Sequence, residues 1–187
     1  MYLGNNVKDY EEIAEEIIDL AIKEGHIRCD ICTLELKRHL KYERRIKETG
    51  QKIEIIFVNC NNCNKGHALL PDFLLPYKQY SAGEIEGVII DSAYGLPVNQ
   101  IETEASESTV KRWITQIPER IERAINILKY LFIQMCCVIS EILIDTEPGY
   151  AQLEQLLDMA PHTAKHSGNK LGLANIWLGK YSRTVYV

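Results

Sequence analysis

Two Cys-x2-Cys pairs, separated by 27 residues, constrain this chain more than any other feature of its sequence. The pairs are Cys29 with Cys32 and Cys60 with Cys63. A tight turn directs both sulfurs of such a pair toward one point, and two pairs supply the four thiolates that zinc prefers in a closed structural site. We therefore predict one structural zinc ion at these four cysteines, with no open position for catalysis.

Other interpretations of the cysteines stay open. The N-terminus lacks a basic start followed by an apolar block, so we expect no signal peptide and a cytoplasmic location, where disulfides are disfavoured. A redox pair would need a βαβ context, and an iron–sulfur cluster fits the spacing less well than a ribbon does. His39 and His67 are near enough in sequence to replace a thiolate or to lie beside the ligands. Cys136 and Cys137 are interpreted as buried apolar residues of a helix.

The chain divides by composition into five segments. They are an acidic amphipathic helix (1–25), the zinc ribbon (26–70), a proline-containing linker (71–80), a helix-turn-helix-like unit (81–117) and a long helix with a C-terminal helical region (118–187). An alternating apolar pattern predicts a strand that leads into Cys60 after a turn at Gly50. The predicted fold class is α+β, a small four-cysteine zinc ribbon followed by a mainly α-helical body.

Helix boundaries are predicted from apolar spacing and from residues that begin or end helices. Ser81 and Glu84 form a capping box, and Pro118 is expected to begin the long helix. The apolar stripe predicted for the first helix is Tyr10, Ile13, Ile17, Leu20 and Ala21. The linker is predicted to pack through Phe73, Leu74, Leu75 and Tyr77. No apolar run approaches the roughly 20 residues that span a bilayer, so we expect no membrane contact.

A helix-turn-helix-like unit is predicted between Gly95 and Ile117. A short helix at residues 98–104 would precede a tight turn and a recognition helix at residues 109–116. The residues expected to face DNA are Ser108, Thr109, Lys111 and Arg112, since a helix N-terminus and basic side chains favour phosphates. An ordinary helical hairpin is the alternative, because the turn has no glycine.

The net charge of −5 is unevenly distributed along the chain. Residues 1–25 carry −5, residues 26–80 carry +4, and residues 81–187 carry −4. Distribution matters more than the total for a nucleic-acid partner. The segment with the cysteines therefore remains a candidate for DNA binding, although its acidic flanks argue against contact elsewhere.

Five stretches carry a resemblance to known proteins. They are CDIC, LKRHLKYERRI, KIEIIFVNC, NNCNKGHALLPDFLLPYKQYS and STVKRW, within about residues 28–116. Together they resemble an uncharacterised family of bacterial zinc-ribbon proteins associated with mobile elements. They are also similar to the N-terminal zinc-ribbon and helix-turn-helix part of insertion-sequence transposases. The resemblance implies zinc at the four cysteines and DNA contact near Lys37, Arg38, Arg44, Arg45, Lys111 and Arg112.

We expect a zinc-dependent DNA-binding accessory or regulatory protein, linked to a mobile element and without catalytic activity. A cut-and-paste transposase needs three carboxylates on an RNase-H-like sheet, and the C-terminal region shows no alternating strands to hold them. A zinc-ribbon adaptor that dimerises or recruits a protein partner is the alternative. A degenerate transposase that kept its targeting half would share the DNA prediction. A homodimer would suit a palindromic site, and no small-molecule substrate is evident.

Overall fold

The computed structural model describes residues 7–25, 27–29, 31–136, 149–159 and 168–181. The elements within them, in chain order, are α1 (Val7–Lys23), β1 (Leu36–Arg45), β2 (Lys52–Cys60), β3 (Gly66–Leu69), α2 (Ala82–Ala93), a 3₁₀ turn (Val98–Gln100), α3 (Glu107–Cys136), α4 (Tyr150–Asp158) and α5 (Lys170–Tyr181). A small sheet followed by helices confirms the mixed α and β composition predicted from the sequence. None of the described helices is long and apolar enough to cross a membrane.

The three strands form an antiparallel sheet in the order β1-β2-β3. The central strand β2 is apolar on both sides, and Ile53, Ile55, Ile56 and Val58 are all buried. Helix α1 covers the side that contains Ile56 and Val58. Part of the linker covers the other side, through Phe73 and Leu74. Because both faces of β2 are buried, its apolar residues do not simply alternate with polar ones: Ile55 and Ile56 are adjacent and point to opposite faces.

An irregularity in β1 determines which basic residues share a face. Arg38 lies opposite Val58 and Leu40 lies opposite Phe57, so the pairing register shifts at position 39. A bulge of this kind moves every later side chain to the other face. Arg38 and Lys41 therefore point to the side of the sheet that α1 covers.

A second core lies among the helices. Helix α3 is its centre, with α2, α4 and α5 packed around it. Two edge-to-face aromatic pairs fill this core: Tyr80 with Trp113, and Phe132 with Trp177, each with ring centroids 5.0 Å apart. The two cores meet in the linker, where Leu74 belongs to the ribbon core and the next residue, Leu75, belongs to the helical core. The linker thus holds the ribbon against the helical body.

The predicted packing of the linker is confirmed except at one residue. Phe73, Leu74 and Leu75 are buried, but Tyr77 is 97% exposed. The prediction for Tyr77 was wrong because its backbone turns outward: φ is +61° at this residue, directly after Pro76. The side chain consequently leaves the core that its apolar neighbours join.

The helix-turn-helix-like unit is not confirmed. In place of the predicted helix at residues 98–104 there is one 3₁₀ turn, and the predicted recognition helix forms the first turns of the 30-residue helix α3. The predicted start at Pro118 was wrong, since this proline lies inside α3. An internal proline costs about 3 kcal/mol or more. The continuous buried stripe from Val110 to Phe132 offsets this cost.

Two details of helix ends and faces differ from prediction. Leu20 of α1 is 53% exposed, while Ala14 and Ile18 are buried, because the buried stripe follows steps of four residues from Tyr10. The Ser81 hydroxyl accepts a hydrogen bond from the Glu84 amide at 3.2 Å, as the capping box predicts. The reciprocal bond comes from elsewhere in the chain, since the Ser81 amide donates to Glu48 Oε1 at 2.8 Å.

The C-terminal helices were predicted only in part. Helices α4 and α5 both lie in the region predicted to be helical, but the sequence did not indicate where α5 begins or ends. Helix α5 carries apolar residues on most of its own sides, so its sequence lacks the apolar periodicity that identifies an amphipathic helix. The side chains of His39 and Cys136, and the whole of Cys137, fall outside the described residues.

Candidate metal centre and basic surface

The two cysteine pairs adopt the same local backbone structure. In the first pair the Cys29 amide donates to the Leu34 carbonyl, and the Thr33 amide donates to the Cys29 carbonyl, both at 2.9 Å. In the second pair Cys60 forms the equivalent bonds with Lys65 and Asn64, again both at 2.9 Å. Positive φ angles of 62° at Thr33 and 54° at Asn64 close the two turns. The repeated geometry shows that each pair is built locally as a tight turn.

The sheet brings these two turns together. The second turn joins β2 to β3, while the first immediately precedes β1, and Leu36 at the start of β1 lies opposite Cys60. The sulfurs of Cys29 and Cys63 are 3.5 Å apart, and those of Cys32 and Cys60 are 3.3 Å apart. All four sulfurs lie within 4.8 Å of one another, and none of the four cysteines forms a disulfide.

The donor set fits a tetrahedral metal ion. Four sulfurs at about 2.3 Å from a zinc ion would be about 3.8 Å apart, which lies within the observed range. Four thiolates so close together would repel one another strongly, and a divalent cation relieves that repulsion. The four cysteines are therefore close enough together, and of the right chemistry, to hold a metal ion.

Backbone amides prepare the first cysteine of each turn for ionisation. The N–H groups of Cys63 and Asn62 are directed at the Cys60 sulfur and lower the pKa of this thiol to about 6. At Cys29 burial opposes ionisation, but hydrogen bonds from the amides of Cys32 and Ile31 outweigh it and hold the pKa below its ordinary value. Amide donors of this kind favour the thiolate that a metal requires.

His67 lies beside this cluster. Its Nε2 is 3.5 Å from the Cys29 sulfur, within hydrogen-bond distance. Because four sulfurs already complete a tetrahedron, His67 is placed as a neighbour of the ligand Cys29 and not as a replacement for it. The sequence had named it for either role.

Acidic residues of α1 occupy part of the predicted basic surface. Arg38 forms ion pairs with Glu15 at 3.3 Å and with Asp19 at 3.1 Å. Lys41 also pairs with Glu15, and its hydrogen bond holds the pKa of that carboxyl below the ordinary value. The excess charges of residues 1–25 and 26–80 are thus partly neutralised within the molecule. Lys37 is exposed and points to the opposite face of the sheet.

Arg44 and Arg45 lie at the hairpin end of β1, where the linker passes. The Arg44 guanidinium is partly buried, and its Nη2 donates to the Leu75 carbonyl at 2.8 Å. Arg45 is exposed and lines a shallow groove with Glu43, Arg44, Lys47 and Gln79. The same groove is closed by a backbone bond from the Lys47 amide to the Gln79 carbonyl at 2.9 Å. Arg44 therefore fastens the hairpin to the linker, while Arg45 faces solvent.

The remaining predicted contacts lie at the start of α3. Ser108, Lys111 and Arg112 are exposed, and Thr109 is half-buried. Lys111 forms an ion pair with Glu107 at 2.7 Å, one helical turn earlier. Arg112 and the half-buried Arg120, eight residues later, form a basic stripe along α3, and both lie close enough to Lys78 to lower its pKa.

The structure joins this stripe to the hairpin end in one basic surface, which we name the junction patch. It consists of Arg45, Lys47, Lys78, Arg112 and Arg120. The Lys47 ammonium lies 5.3 Å from the centre of the Tyr80 ring, whose edge-to-face partner Trp113 follows Arg112. Burial, followed by the charges of Arg120 and Arg112, holds the pKa of Lys78 below its ordinary value. Among the described residues, no carboxylate forms an ion pair with a member of this patch.

Sequence reasoning missed three members of the junction patch. Lys47, Lys78 and Arg120 were not named because they come from a turn, the linker and a helix that are far apart along the chain. The one available indication was the linker itself, where PYKQY places a lysine between two tyrosines. Only the docking of the linker between hairpin and α3 shows that the three belong together.

A comparison with protein families matches residues 29–113 to a domain of unknown function (DUF6431). The match begins at the first cysteine of the metal site and ends at Trp113, and it covers a little under half of the chain. It therefore includes the ribbon, the linker and the first turns of α3, with all of the junction patch except Arg120. Comparisons with curated proteins and with solved structures found no significant match.

Proposed function

We propose that this protein is a zinc-dependent DNA-binding accessory or regulatory protein, without catalytic activity, that binds DNA through the junction patch. The observation that supports this function is the clustering of five cationic side chains from three separate parts of the chain. Cations that form no ion pair with a described carboxylate are suited to phosphates, because binding replaces no internal ion pair. The predicted link to a mobile element remains part of the proposal.

The metal in this proposal is a structural zinc ion at Cys29, Cys32, Cys60 and Cys63. Four thiolates in a tetrahedron, with amide N–H groups directed at Cys29 and Cys60, are a donor set that zinc accepts well. The cysteine turns flank the sheet, and β1 ends at the hairpin that carries Arg45. The zinc would thus hold the strand that positions one edge of the junction patch.

Charge elsewhere in the molecule supports one orientation on DNA. Helix α1 carries the strongest negative charge, and it lies over Arg38 and Lys41 on one face of the sheet. Phosphates would be repelled from that face and attracted to the hairpin end, where the junction patch begins. The exposed Ser108 and the half-buried Thr109 lie one turn before Arg112 and are placed to donate to the same DNA backbone.

A protein–protein adaptor is the second candidate function. Leu40 and Tyr42 are partly exposed on the face of the sheet that α1 does not cover, and Tyr42 contacts Phe57 edge-to-face. An exposed apolar group of this kind suits a protein partner or a second copy of the chain. It is smaller than most such interfaces, so DNA binding is the better-supported function.

The test is binding of the zinc-loaded full chain to mixed duplex fragments across a salt series. We expect the logarithm of the binding constant to fall with that of the salt concentration with a slope of about −4, for four to five phosphates neutralised. Lys47→Glu/Arg112→Glu should abolish binding, while the matched control Lys8→Glu/Arg123→Glu, with the same charge change outside the patch, should bind within about twofold of wild type. Arg44 is unsuitable for this test because its replacement would loosen the linker.

Two results would contradict the proposal. The first is absence of binding at low salt by protein that is folded and contains zinc. The second is an equal loss of binding in the patch variant and in the charge-matched control, which would show a response to net charge alone. Either result would direct attention to the adaptor function and to Tyr42.

A further inference from the structure

Tyr77 is the most exposed large hydrophobic side chain in the described part of the protein. It is 97% exposed, although it follows three buried apolar residues of the linker and the half-buried Pro76. Its ring makes no aromatic contact with a described residue. Its neighbours in the chain on the C-terminal side, Lys78 and Gln79, are polar.

The backbone at Tyr77 is strained in a way that a simple turn would avoid. The Lys78 amide donates to the Leu75 carbonyl at 3.3 Å, and Pro76 and Tyr77 are the two central residues of this turn. Proline at the first central position and a positive φ of 61° at the second are the features of a type II turn. Glycine or asparagine is favoured at the second position, because a side chain with a large β-substituent is disfavoured at positive φ. A tyrosine here is an outlier that local stability does not explain.

Both ends of the turn are fixed to the rest of the molecule. The Leu75 side chain is fully buried in the helical core, and its carbonyl also accepts the Arg44 guanidinium at 2.8 Å. On the other side, the Gln79 carbonyl accepts the Lys47 amide. The ring is therefore held out from a rigid base and not from a free loop. Tyr77 directly precedes Lys78, a member of the junction patch, in the chain.

We infer that Tyr77 is a stacking platform for an unpaired base, so that the junction patch binds single-stranded or locally opened DNA. The inference rests on the proposed DNA-binding function and specifies the form of DNA. A flat ring with a free face stacks on any base, whereas in a duplex both faces of every base are already stacked. Cations close to the ring would follow the backbone of the same strand: Lys78 is the next residue in the chain, and Lys47 is joined to Gln79 through its backbone amide.

The test compares single-stranded DNA of about 12 nucleotides with a duplex of the same sequence, at one salt concentration, using the zinc-loaded full chain. Tyr77→Gly and Tyr77→Asn remove the ring and relieve the backbone. Each should raise the thermal unfolding midpoint and weaken single-strand binding about 5- to 150-fold. Duplex binding should change by less than about twofold, because the cations remain. Tyr77→Trp keeps a ring and should bind single strands at least as well as wild type.

In Tyr77→Gly and Tyr77→Asn, stability is expected to rise while single-strand affinity falls. A residue with only a structural role would not give these opposite changes. Single-strand affinity that is unchanged in Tyr77→Gly and Tyr77→Asn would overturn the inference, and so would an equal loss on single strands and duplex. In either case the loss of all DNA binding in Lys47→Glu/Arg112→Glu would leave the proposed function standing. A wild-type protein that binds neither form of DNA would overturn both.

Discussion

Replacement of Tyr10 by phenylalanine tests how firmly the acidic helix α1 is attached to the ribbon. The Tyr10 ring is fully buried, and its hydroxyl lies between two strands. It donates to the Leu69 carbonyl at 2.7 Å and accepts from the Ile56 amide at 3.2 Å. Ile56 and Leu69 are opposite each other in β2 and β3, so the hydroxyl bridges the end of that strand pair. Tyr10→Phe removes only this oxygen.

The expected loss in the free energy of unfolding is about 1–3 kcal/mol. A buried backbone group left without a partner costs about 1–3 kcal/mol. The Ile56 amide is fully buried and would bear most of that cost, whereas Leu69 is half-buried and water can reach its carbonyl. This loss is a large share of the roughly 5–15 kcal/mol that stabilises an ordinary domain.

The measurement is urea unfolding of zinc-loaded protein at a fixed free-zinc concentration, followed by circular dichroism. The matched control is Tyr94→Phe, since Tyr94 is 83% exposed at the end of α2. It should change stability by less than about 0.5 kcal/mol. A Tyr10→Phe loss no larger than that of the control would refute the claim that the hydroxyl joins α1 to the sheet.

Three further predictions concern the ribbon and α2. Burial raises the pKa of Tyr10 to about 12. The stability that the neutral hydroxyl contributes should therefore be fully present below pH 10 and be lost as the pH rises through 12. The urea midpoints of wild type and Tyr10→Phe should converge at high pH, and a constant difference between them would contradict this prediction. Thr33→Asn should raise the free energy of unfolding by about 1 kcal/mol, and with it the thermal midpoint, because asparagine tolerates the φ of 62° better than a β-branched residue does. A lower thermal midpoint at fixed zinc concentration would contradict this prediction. Gly66→Ala should destabilise the protein by about 1–3 kcal/mol, because a Cβ would overlap the Phe57 ring. The control Gly83→Ala in α2, where the added Cβ meets open space, should not destabilise it. Equal unfolding midpoints for the two variants would show that the predicted overlap is absent.

The metal site was predictable from the sequence because its geometry is local. Each Cys-x2-Cys turn is closed by its own backbone bonds, so the spacing alone predicts that its two sulfurs converge. The two turns come together because a hairpin lies between them. The alternating apolar pattern before Cys60 and the turn at Gly50 were sufficient to predict that hairpin. The family match over residues 29–113 covers the same region.

The basic surface was not predictable, because its composition depends on register and on tertiary packing. A single bulge at position 39 placed Lys41 on the same face as Arg38, toward α1, and no sequence pattern marks that position. Pro118 suggested a helix start, but the buried stripe of α3 continued through it. Lys78 and Arg120 became neighbours only when the linker docked on α3. Local spacing therefore predicted the four sulfurs, but not which cations remain free of carboxylates.

The most direct test of the metal site, on which the ribbon depends, is native mass spectrometry of the full chain purified without added chelator. We expect one zinc ion per chain, with the four thiols reduced, and loss of the metal in Cys32→Ser/Cys63→Ser. The control Cys136→Ser/Cys137→Ser should retain one zinc ion, because these cysteines are not part of the cluster. A folded protein that contains two disulfides and no metal, or one that keeps its zinc in Cys32→Ser/Cys63→Ser, would contradict the four-cysteine site.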